Sequence, residues 1–166
     1  MIAPLSVTDF AARCGAELHC EIDKLLEVSG LAIDSRQVKP GDLFVAIPGV
    51  KVDGHDYLEA ALERGAGAAL VQQQVSSALP QLIVSDSEAA LQTFGAMTRA
   101  AYDGILVGIT GSAGKTTAKN MLAEILSRAG SVVATKGNQN NELGVPLTLA
   151  DLNADTQYAV LELGAG

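Results

Sequence analysis

Short apolar runs alternate with amphipathic stretches along the chain, as they do when strands and helices follow one another. Runs of aliphatic residues bounded by Gly, Pro or polar residues predict strands. The predicted strands cover residues 31–33, 43–47, 68–71, 81–84, 105–110, 132–135 and 158–163. Between them, apolar residues spaced three or four positions apart predict helices.

Capping residues and glycines mark the ends of these helices. Ser6 opens a capping box for a short helix that Gly15 can end. Asp56 is predicted to begin a helix that runs to Arg64. Three further helices are predicted: one after Ser85 or Asp86, one over residues 115–129, and a short one after Pro146. The first of these three has an apolar stripe that we expect in the core, formed by Leu91, Phe94, Met97 and Ala101.

The order of strands and helices predicts an α/β fold with mainly parallel sheets and right-handed crossovers. Asp103-Gly104 interrupts the pattern, so we place a domain boundary between residues 1–103 and 104–166. The second part supplies about three strands and little helix, whereas a parallel sheet is ordinarily buried on both faces. We therefore expect it to be the first part of a larger domain in a longer enzyme.

The composition is that of a folded globular protein. Of 166 residues, 48% are apolar and 18% are charged, which argues against bulk disorder. The net charge of −8 argues against a general affinity for nucleic acid or an anionic membrane. No apolar run approaches the roughly 20 residues that span a bilayer, so we expect no membrane insertion. Cys14 and Cys20 lack a metal-binding spacing, and we expect free thiols in a cytoplasmic protein.

The stretch from Ile105 to Thr117 carries the strongest chemical signal. It reads ILVGITGSAGKTT: an apolar strand, a glycine-containing loop and the start of a helix. This order gathers backbone N–H groups and a helix N-terminus around one point, which suits a phosphate. The consensus phosphate loop G-x-x-x-x-G-K-[ST] would need glycine where this chain has Ile109. The alternative is a glycine-rich turn followed by a chance Lys-Thr pair.

Three stretches together resemble a known family. The first is DSR, followed by KPGDLFVA and DGHD; the second is TGSAGKTT; the third is GNQNNELGVP. In this order they resemble the Mur ligase family, whose variant phosphate loop accounts for Ile109. The third stretch is similar to the asparagine-rich segment of the dipeptide-adding branch, whereas the branch that adds the third residue carries a T-T-P segment. The resemblance covers essentially the whole chain and extends to YAVLELG near its end.

The resemblance implies an ATP- and Mg²⁺-dependent ligase of peptidoglycan precursor synthesis. Its substrates would be UDP-N-acetylmuramoyl-tripeptide and D-alanyl-D-alanine, joined through an acyl phosphate. Residues 1–103 would form a small α/β domain that binds the UDP precursor, and residues 104–166 the first βαβ part of a P-loop ATPase domain. We also expect a monomer, and a chain that is inactive without the rest of the enzyme.

The expected ATP site lies around the glycine-containing loop. The residues expected to bind nucleotide are Gly111, Ser112, Ala113, Gly114, Lys115, Thr116 and Thr117. Lys115 can neutralise charge at the β/γ-phosphates, and the Thr116 hydroxyl is the expected Mg²⁺ ligand; Thr117 could instead only support the start of the helix. By resemblance Glu162, at the end of the last predicted strand, is a second Mg²⁺ ligand, and Lys115 and Glu162 are the expected catalytic residues. A solvated strand-edge glutamate is the alternative.

The expected precursor site lies in the first domain. Ser35 and Arg36 follow a predicted strand, and by resemblance this region receives the uridine diphosphate. The hydroxyl suits the uracil or ribose, and the guanidinium suits a phosphate or carboxylate. His55, Asn138 and Asn141 are further candidates for substrate binding by resemblance. The alternatives are a structural role for His55 and ordinary turn formation for the asparagines.

Other functions stay open at this point. The third-residue branch of the family is the nearest, although the asparagine segment disfavours it. A different P-loop protein, such as a small-molecule kinase or a GTPase, is a more distant one, and no N-K-x-D guanine signature occurs in the chain. The chain could also act only as a module that binds a nucleotide or a UDP-sugar.

Overall fold

The computed structural model describes residues 1–2, 4–19, 26–49, 52–137 and 139–164. Cys20 and Asn138, both named above, lie outside these residues. The strands in the described residues are β1 (Leu5–Ser6), β2 (Glu17–His19), β3 (Glu27–Val28), β4 (Gly30–Ala32), β5 (Asp42–Val45), β6 (Ala68–Val71), β7 (Gln81–Ile83), β8 (Ile105–Ile109), β9 (Val132–Ala134) and β10 (Tyr158–Glu162). The helices are α1 (Val7–Cys14), α2 (Leu58–Glu63), α3 (Ser87–Ala100), α4 (Lys115–Ser127) and α5 (Gly144–Ala150).

The described chain folds into two compact units. One comprises Pro4–Thr93, and the other begins at Phe94 and includes the first residues of the chain. This division falls inside α3, ten residues before the boundary expected after Asp103; the expected boundary stays a prediction. No helix in the described residues is both long and apolar enough to cross a membrane.

A five-stranded sheet organises the first unit, in the order β2–β7–β6–β5–β4. Its four strands from β4 to β7 are parallel, and β2 runs antiparallel at one edge. All residues of β5 and β6 are buried, as expected for central strands of a parallel sheet. Phe44, Leu58 and Leu79 belong to the buried cluster that this sheet forms with α2. The mainly parallel α/β class predicted from the sequence is confirmed.

A three-stranded parallel sheet organises the second unit, in the order β8–β10–β9. Tyr102, Leu149 and Leu152 form its buried cluster together with residues of β10. The strand β8 lies at an edge of this sheet, where Ile105 is 61% exposed. The register pairs Glu162 with Ile109, so the last residue of β10 lies beside the point where the glycine-containing loop begins.

Most predicted elements are present, but three details of the helices were wrong. The turn before α2 is a 3₁₀ helix over Gly54–Tyr57 that is capped by Asp53, so Asp56 does not begin this helix. The helix α5 begins at Gly144, and Pro146 lies inside its first turn, where a proline is tolerated because the N–H it lacks has no intrahelical partner. In the stripe on α3, Ala101 is exposed, whereas Thr98 is buried.

Candidate active site

The loop between β8 and α4 has the backbone that binding of a phosphate requires. Gly111 has a φ of 151° and Gly114 a φ of 76°, conformations that favour glycine. Gly114 directly precedes α4, and no side chain of the described residues caps this helix. The N–H groups of the first helical turn are therefore left for another acceptor, and the positive end of the helix dipole favours an anion there.

The side chains of the loop leave it open to solvent. Ser112, Ala113, Thr116 and Thr117 are exposed, whereas Lys115 is half-buried. The Lys115 ammonium donates a hydrogen bond to the Gly111 carbonyl at 2.7 Å, so this side chain folds back over the loop. The loop thus combines accessible backbone N–H groups with a cation held above them.

The carboxylate of Glu162 connects the loop with the asparagine-rich segment. Glu162 is only 3% exposed at the end of β10. Its Oε1 accepts hydrogen bonds from the Thr116 hydroxyl at 3.1 Å and from the Asn140 side-chain amide at 3.0 Å. Its Oε2 is buried and has no hydrogen-bond partner among the described residues. A buried carboxylate oxygen without a partner is unfavourable unless a cation or another donor binds it.

Glu162 is ionised despite its burial. The hydrogen bond from Asn140 lowers the pKa of Glu162, while burial acts in the opposite direction. The Thr116 hydroxyl and the positive charges of Lys119 and Lys115 lower this pKa further. The site therefore holds a negative charge at neutral pH, directly beside the first turn of α4.

The residues around Glu162 suit Mg²⁺ better than a soft metal. The described residues contain no group of three or more His, Cys, Asp or Glu side chains that could form a metal cage by themselves. Mg²⁺ is usually held by one or two carboxylates, with waters and substrate phosphates completing its coordination. The free Oε2 of Glu162 and the neighbouring Thr116 hydroxyl are two hard oxygen ligands of that kind.

In the asparagine-rich segment, a residue that was not among the expected ones, Asn140, contacts Glu162. Asn138 lies outside the described residues. The Asn141 side chain accepts a hydrogen bond from the Gly144 N–H at 2.9 Å, which stabilises the start of α5. Among the described residues of this segment, Asn140 reaches Glu162, and the Asn140 backbone carbonyl also accepts from the Gly164 N–H at 2.7 Å. Three asparagines within four positions gave no sequence signal to distinguish Asn140 from its neighbours.

A cavity of about 470 Å³ lies in the first unit, at the carboxyl ends of β4 and β5. In open α/β sheets this end of the strands is where ligands bind. The cavity combines apolar and aromatic surface with a few polar groups; its lining residues are Ile33, Asp34, Ser35, Arg36, Phe44, Ile47, Val52, Gly54 and Tyr57. Ser35 and Arg36, both predicted from the sequence, therefore line one cavity.

The Arg36 side chain is held at the cavity by its neighbour Asp34. Its Nε and Nη2 donate to the Asp34 carboxylate at 2.9 and 2.7 Å. The side-chain hydrogen bond from Arg36 is the main reason that the pKa of Asp34 is lowered, and the same bond raises the pKa of Arg36. The Arg36 side chain is nevertheless 84% exposed, so its remaining N–H donors can reach a ligand.

Two family models match the chain in sequence. The model described as Mur ligase family, catalytic domain, matches residues 27–107, and the model described as Mur ligase middle domain matches residues 109–166. The chain belongs to the Mur ligase family. The resemblance that the three motifs indicated is confirmed.

Individual Mur ligases are similar to this chain over most of its length. The UDP-N-acetylmuramoyl-tripeptide–D-alanyl-D-alanine ligase of Escherichia coli K12 is 44% identical over 140 residues, which cover 84% of this chain and 31% of that protein. MurF from Acinetobacter baumannii has a TM-score of 0.87 at 35% identity, over 99% of this chain and 36% of that one. The MurF ligase of Thermotoga maritima in complex with ADP has a TM-score of 0.72 at 35% identity, over 87% of this chain and 34% of that one. The present Mur ligase chain spans about a third of the length of these relatives.

His55 has a local role in this Mur ligase chain. It is buried, its Nε2 accepts from the Gln72 N–H at 2.9 Å, and its Nδ1 lies 2.6 Å from the Asp53 carboxylate. Because Nε2 is the acceptor, the proton lies on Nδ1, which donates to Asp53. Both ring nitrogens are thus engaged within the first unit, and Gly54, not His55, lines the cavity.

Two buried residues close to the loop between β8 and α4 were not predicted from the sequence. Lys119 is 4% exposed on α4, and Thr135 is 2% exposed just after β9. The Lys119 ammonium donates to the Thr135 carbonyl at 2.6 Å. A signal existed, because Lys119 lies one helical turn after Lys115 and thus on the same side of α4. A lysine on a helix is ordinarily solvated, so this spacing alone did not single it out.

Proposed function

We propose that the protein is an ATP-dependent ligase that joins D-alanyl-D-alanine to UDP-N-acetylmuramoyl-tripeptide. The observation that carries the proposal is the contact of Glu162 with both Thr116 and Asn140. This contact brings the phosphate loop, the end of β10 and the asparagine-rich segment to one point. The relatives that carry this activity in their names are similar over most of the chain and support the same reaction.

The reaction would proceed in two steps. A carboxylate oxygen at the end of the tripeptide attacks the γ-phosphorus of ATP, ADP leaves, and an acyl phosphate forms. The amine of D-alanyl-D-alanine then attacks the acyl carbon, loses a proton and displaces inorganic phosphate, so that an amide bond results. Phosphoryl transfer of this kind depends chiefly on positioning and on neutralisation of charge.

The residues of the second unit suit the ATP half of this reaction. Backbone N–H groups from Gly111 to Lys115 would bind the phosphates, and the Lys115 ammonium would leave the Gly111 carbonyl to neutralise the β/γ-phosphates. Thr116 and Glu162 would hold Mg²⁺, which when bound withdraws negative charge from the phosphate oxygens. The ADP complex of the Thermotoga maritima relative supports the use of ATP.

The cavity of the first unit suits the UDP part of the precursor. Tyr57 offers exposed aromatic surface to a uracil ring, and Ser35 offers a hydroxyl. The exposed Arg36 guanidinium, already oriented by Asp34, is suited to a diphosphate. His55 would act indirectly, by holding the turn that supplies Gly54 and Tyr57.

Phosphate release by the full-length protein tests the proposal. With ATP, Mg²⁺ and UDP-N-acetylmuramoyl-tripeptide present, release should require D-alanyl-D-alanine. Lys115→Ala should abolish most of the turnover, whereas Lys136→Ala, a control at an exposed lysine paired with Asp151, should not. Release that instead requires a diamino acid and the shorter dipeptide precursor would assign the protein to the third-residue branch. Binding of the UDP precursor without any turnover would favour a binding module.

A further inference from the structure

The pairing of β9 with β10 departs from a regular ladder next to the proposed Mg²⁺ site. The Thr135 N–H donates to the Val160 carbonyl at 3.0 Å, which continues the parallel ladder beyond β9. The next bond of such a ladder would join the Glu162 N–H to the Thr135 carbonyl. The Glu162 N–H instead donates to the Thr135 side-chain hydroxyl at 2.9 Å. A side chain thus replaces the backbone acceptor at the last residue of β10.

The Thr135 carbonyl that this exchange releases has another partner. It accepts a hydrogen bond from the Lys119 ammonium at 2.6 Å. Lys119, Thr135 and Glu162 are 4%, 2% and 3% exposed, so all three polar groups are buried. A buried ammonium is unfavourable unless it is hydrogen-bonded and lies near a negative charge. The hydrogen bond from Lys119 therefore connects α4, which begins directly after the proposed phosphate loop, to Thr135, whose hydroxyl is bonded to the Glu162 N–H.

From these contacts we infer that Thr135 and Lys119 are positioning residues that orient the Glu162 carboxylate for Mg²⁺. Thr135 fixes the backbone of Glu162 through its hydroxyl, and Lys119 fixes Thr135 through the carbonyl. Neither residue touches the metal or the nucleotide in this role. The inference rests on the proposed function, because it takes Glu162 as a ligand of the nucleotide-bound Mg²⁺. Groups that hold a metal ligand in place commonly contribute 10- to 100-fold to metal affinity, on the order of the effect expected here.

Calorimetry with the full-length protein tests this inference without relying on turnover. ADP binding is measured over a series of Mg²⁺ concentrations and again in the presence of a chelator. Thr135→Val and Lys119→Met should each raise the Mg²⁺ concentration needed for half-maximal enhancement of ADP binding, by about 10-fold or more. ADP affinity in the chelator should not change, because the phosphate loop itself is intact.

Two conservative variants separate positioning from general packing. Thr135→Ser keeps the hydroxyl and should bind Mg²⁺ as the unaltered protein does, although it removes a methyl group that Thr135→Val keeps. Lys136→Met removes a lysine from the next position, where the side chain is exposed, and should have no effect. A Thr135→Val protein that behaves like Thr135→Ser would overturn the inference, as would equal weakening of ADP binding with and without Mg²⁺.

Glu162→Gln distinguishes failure of this inference from failure of the proposed function. If Glu162→Gln leaves the Mg²⁺ requirement unchanged, Glu162 is not the metal ligand and the proposed metal site itself is wrong. If Glu162→Gln shifts the requirement and Thr135→Val does not, only the positioning role is wrong. Failure of both the Val and the Met variants to fold would also reject the inference, since it would make the pair a requirement of the fold.

Discussion

Gly114 is the residue at which the loop after β8, the proposed phosphate loop, leads into α4. Its φ of 76° lies in the left-handed region, and a Cβ added there would meet no atom within 4 Å. The penalty for a larger residue is therefore one of backbone conformation and not of space. We expect Gly114→Ala to lower the free energy of unfolding of the second unit by about 1–2 kcal/mol, or to change the loop and weaken ADP binding.

The comparison of alanine with asparagine at this position identifies the cause. Asparagine is larger than alanine but adopts the left-handed conformation more readily. Urea unfolding and ADP calorimetry should therefore rank Gly114→Asn between the unaltered protein and Gly114→Ala. If the asparagine variant is the more damaged of the two, side-chain size decides the effect and the conformational explanation is wrong.

A backbone pattern accompanied the site residues that the sequence selected in the second unit. Lys115 and Thr116 begin α4 and Glu162 ends β10, and Thr116 and Glu162 are in contact. Asn140 was not chosen, because spacing cannot show which amide of a short asparagine run faces the carboxylate. Thr135 was missed for a related reason: its role depends on where a ladder is interrupted, and this is decided by tertiary contacts.

The turn before α2 shows that a local pattern can also misplace the start of an element when a distant contact decides it. Asp56 had the residue type and position of a helix cap, but Asp53 is the residue that accepts the first hydrogen bond, from the His55 N–H. The buried His55 ring decides between the two, because it binds Asp53 on one side and Gln72 on the other. A local pattern could not reveal this, since Gln72 follows His55 by 17 residues.

His55→Ala should therefore destabilise the first unit. The substitution leaves the half-buried Gln72 N–H without its acceptor and removes a buried ring. An orphaned donor costs about 1–3 kcal/mol when fully buried, so the half-buried N–H should contribute toward the lower end of that range. Urea unfolding monitored on the first unit measures the loss. His19→Ala is the matched control, because His19 makes one exposed contact with Gln74 and its removal should have little effect. Equal effects of the two substitutions would contradict the role assigned to His55.

Long and fully apolar strands were predicted, whereas the shortest ones were not. The strands β5 and β6 are buried along their whole length; β6 is apolar throughout, and β5 is apolar after Asp42. In contrast, β1 and β3 contain two residues each and pair with one another. A pair of two-residue strands is too short to establish a period in the sequence. Its formation depends on the partner strand, which no local pattern specifies.

For the whole molecule, the division of the chain is the point at which sequence and structure differ most. Asp103-Gly104 interrupts the hydrophobic pattern and predicts a boundary after α3, whereas the compact units divide within α3 after Thr93. Packing explains this, because Tyr102 belongs to the buried cluster of the second unit. A Cβ on Gly95 would likewise lie 3.2 Å from the Cα of Pro146 in α5. The last turns of α3 are thus built into the second unit.

Native-state hydrogen exchange on the full chain can decide between the two boundaries. Leu152 is fully buried in the second unit, and Leu152→Ala should destabilise that unit by about 2–5 kcal/mol. If the units divide after Thr93, the amides of Met97 and its successors in α3 will lose protection together with β10. The amide of Leu91 should keep its protection, and the matched substitution Leu70→Ala in β6 should produce the opposite pattern. The alternative outcome is that all of α3 loses protection with Leu70→Ala and none of it does with Leu152→Ala. The helix would then unfold as one piece with the first unit, and the boundary would lie after Asp103.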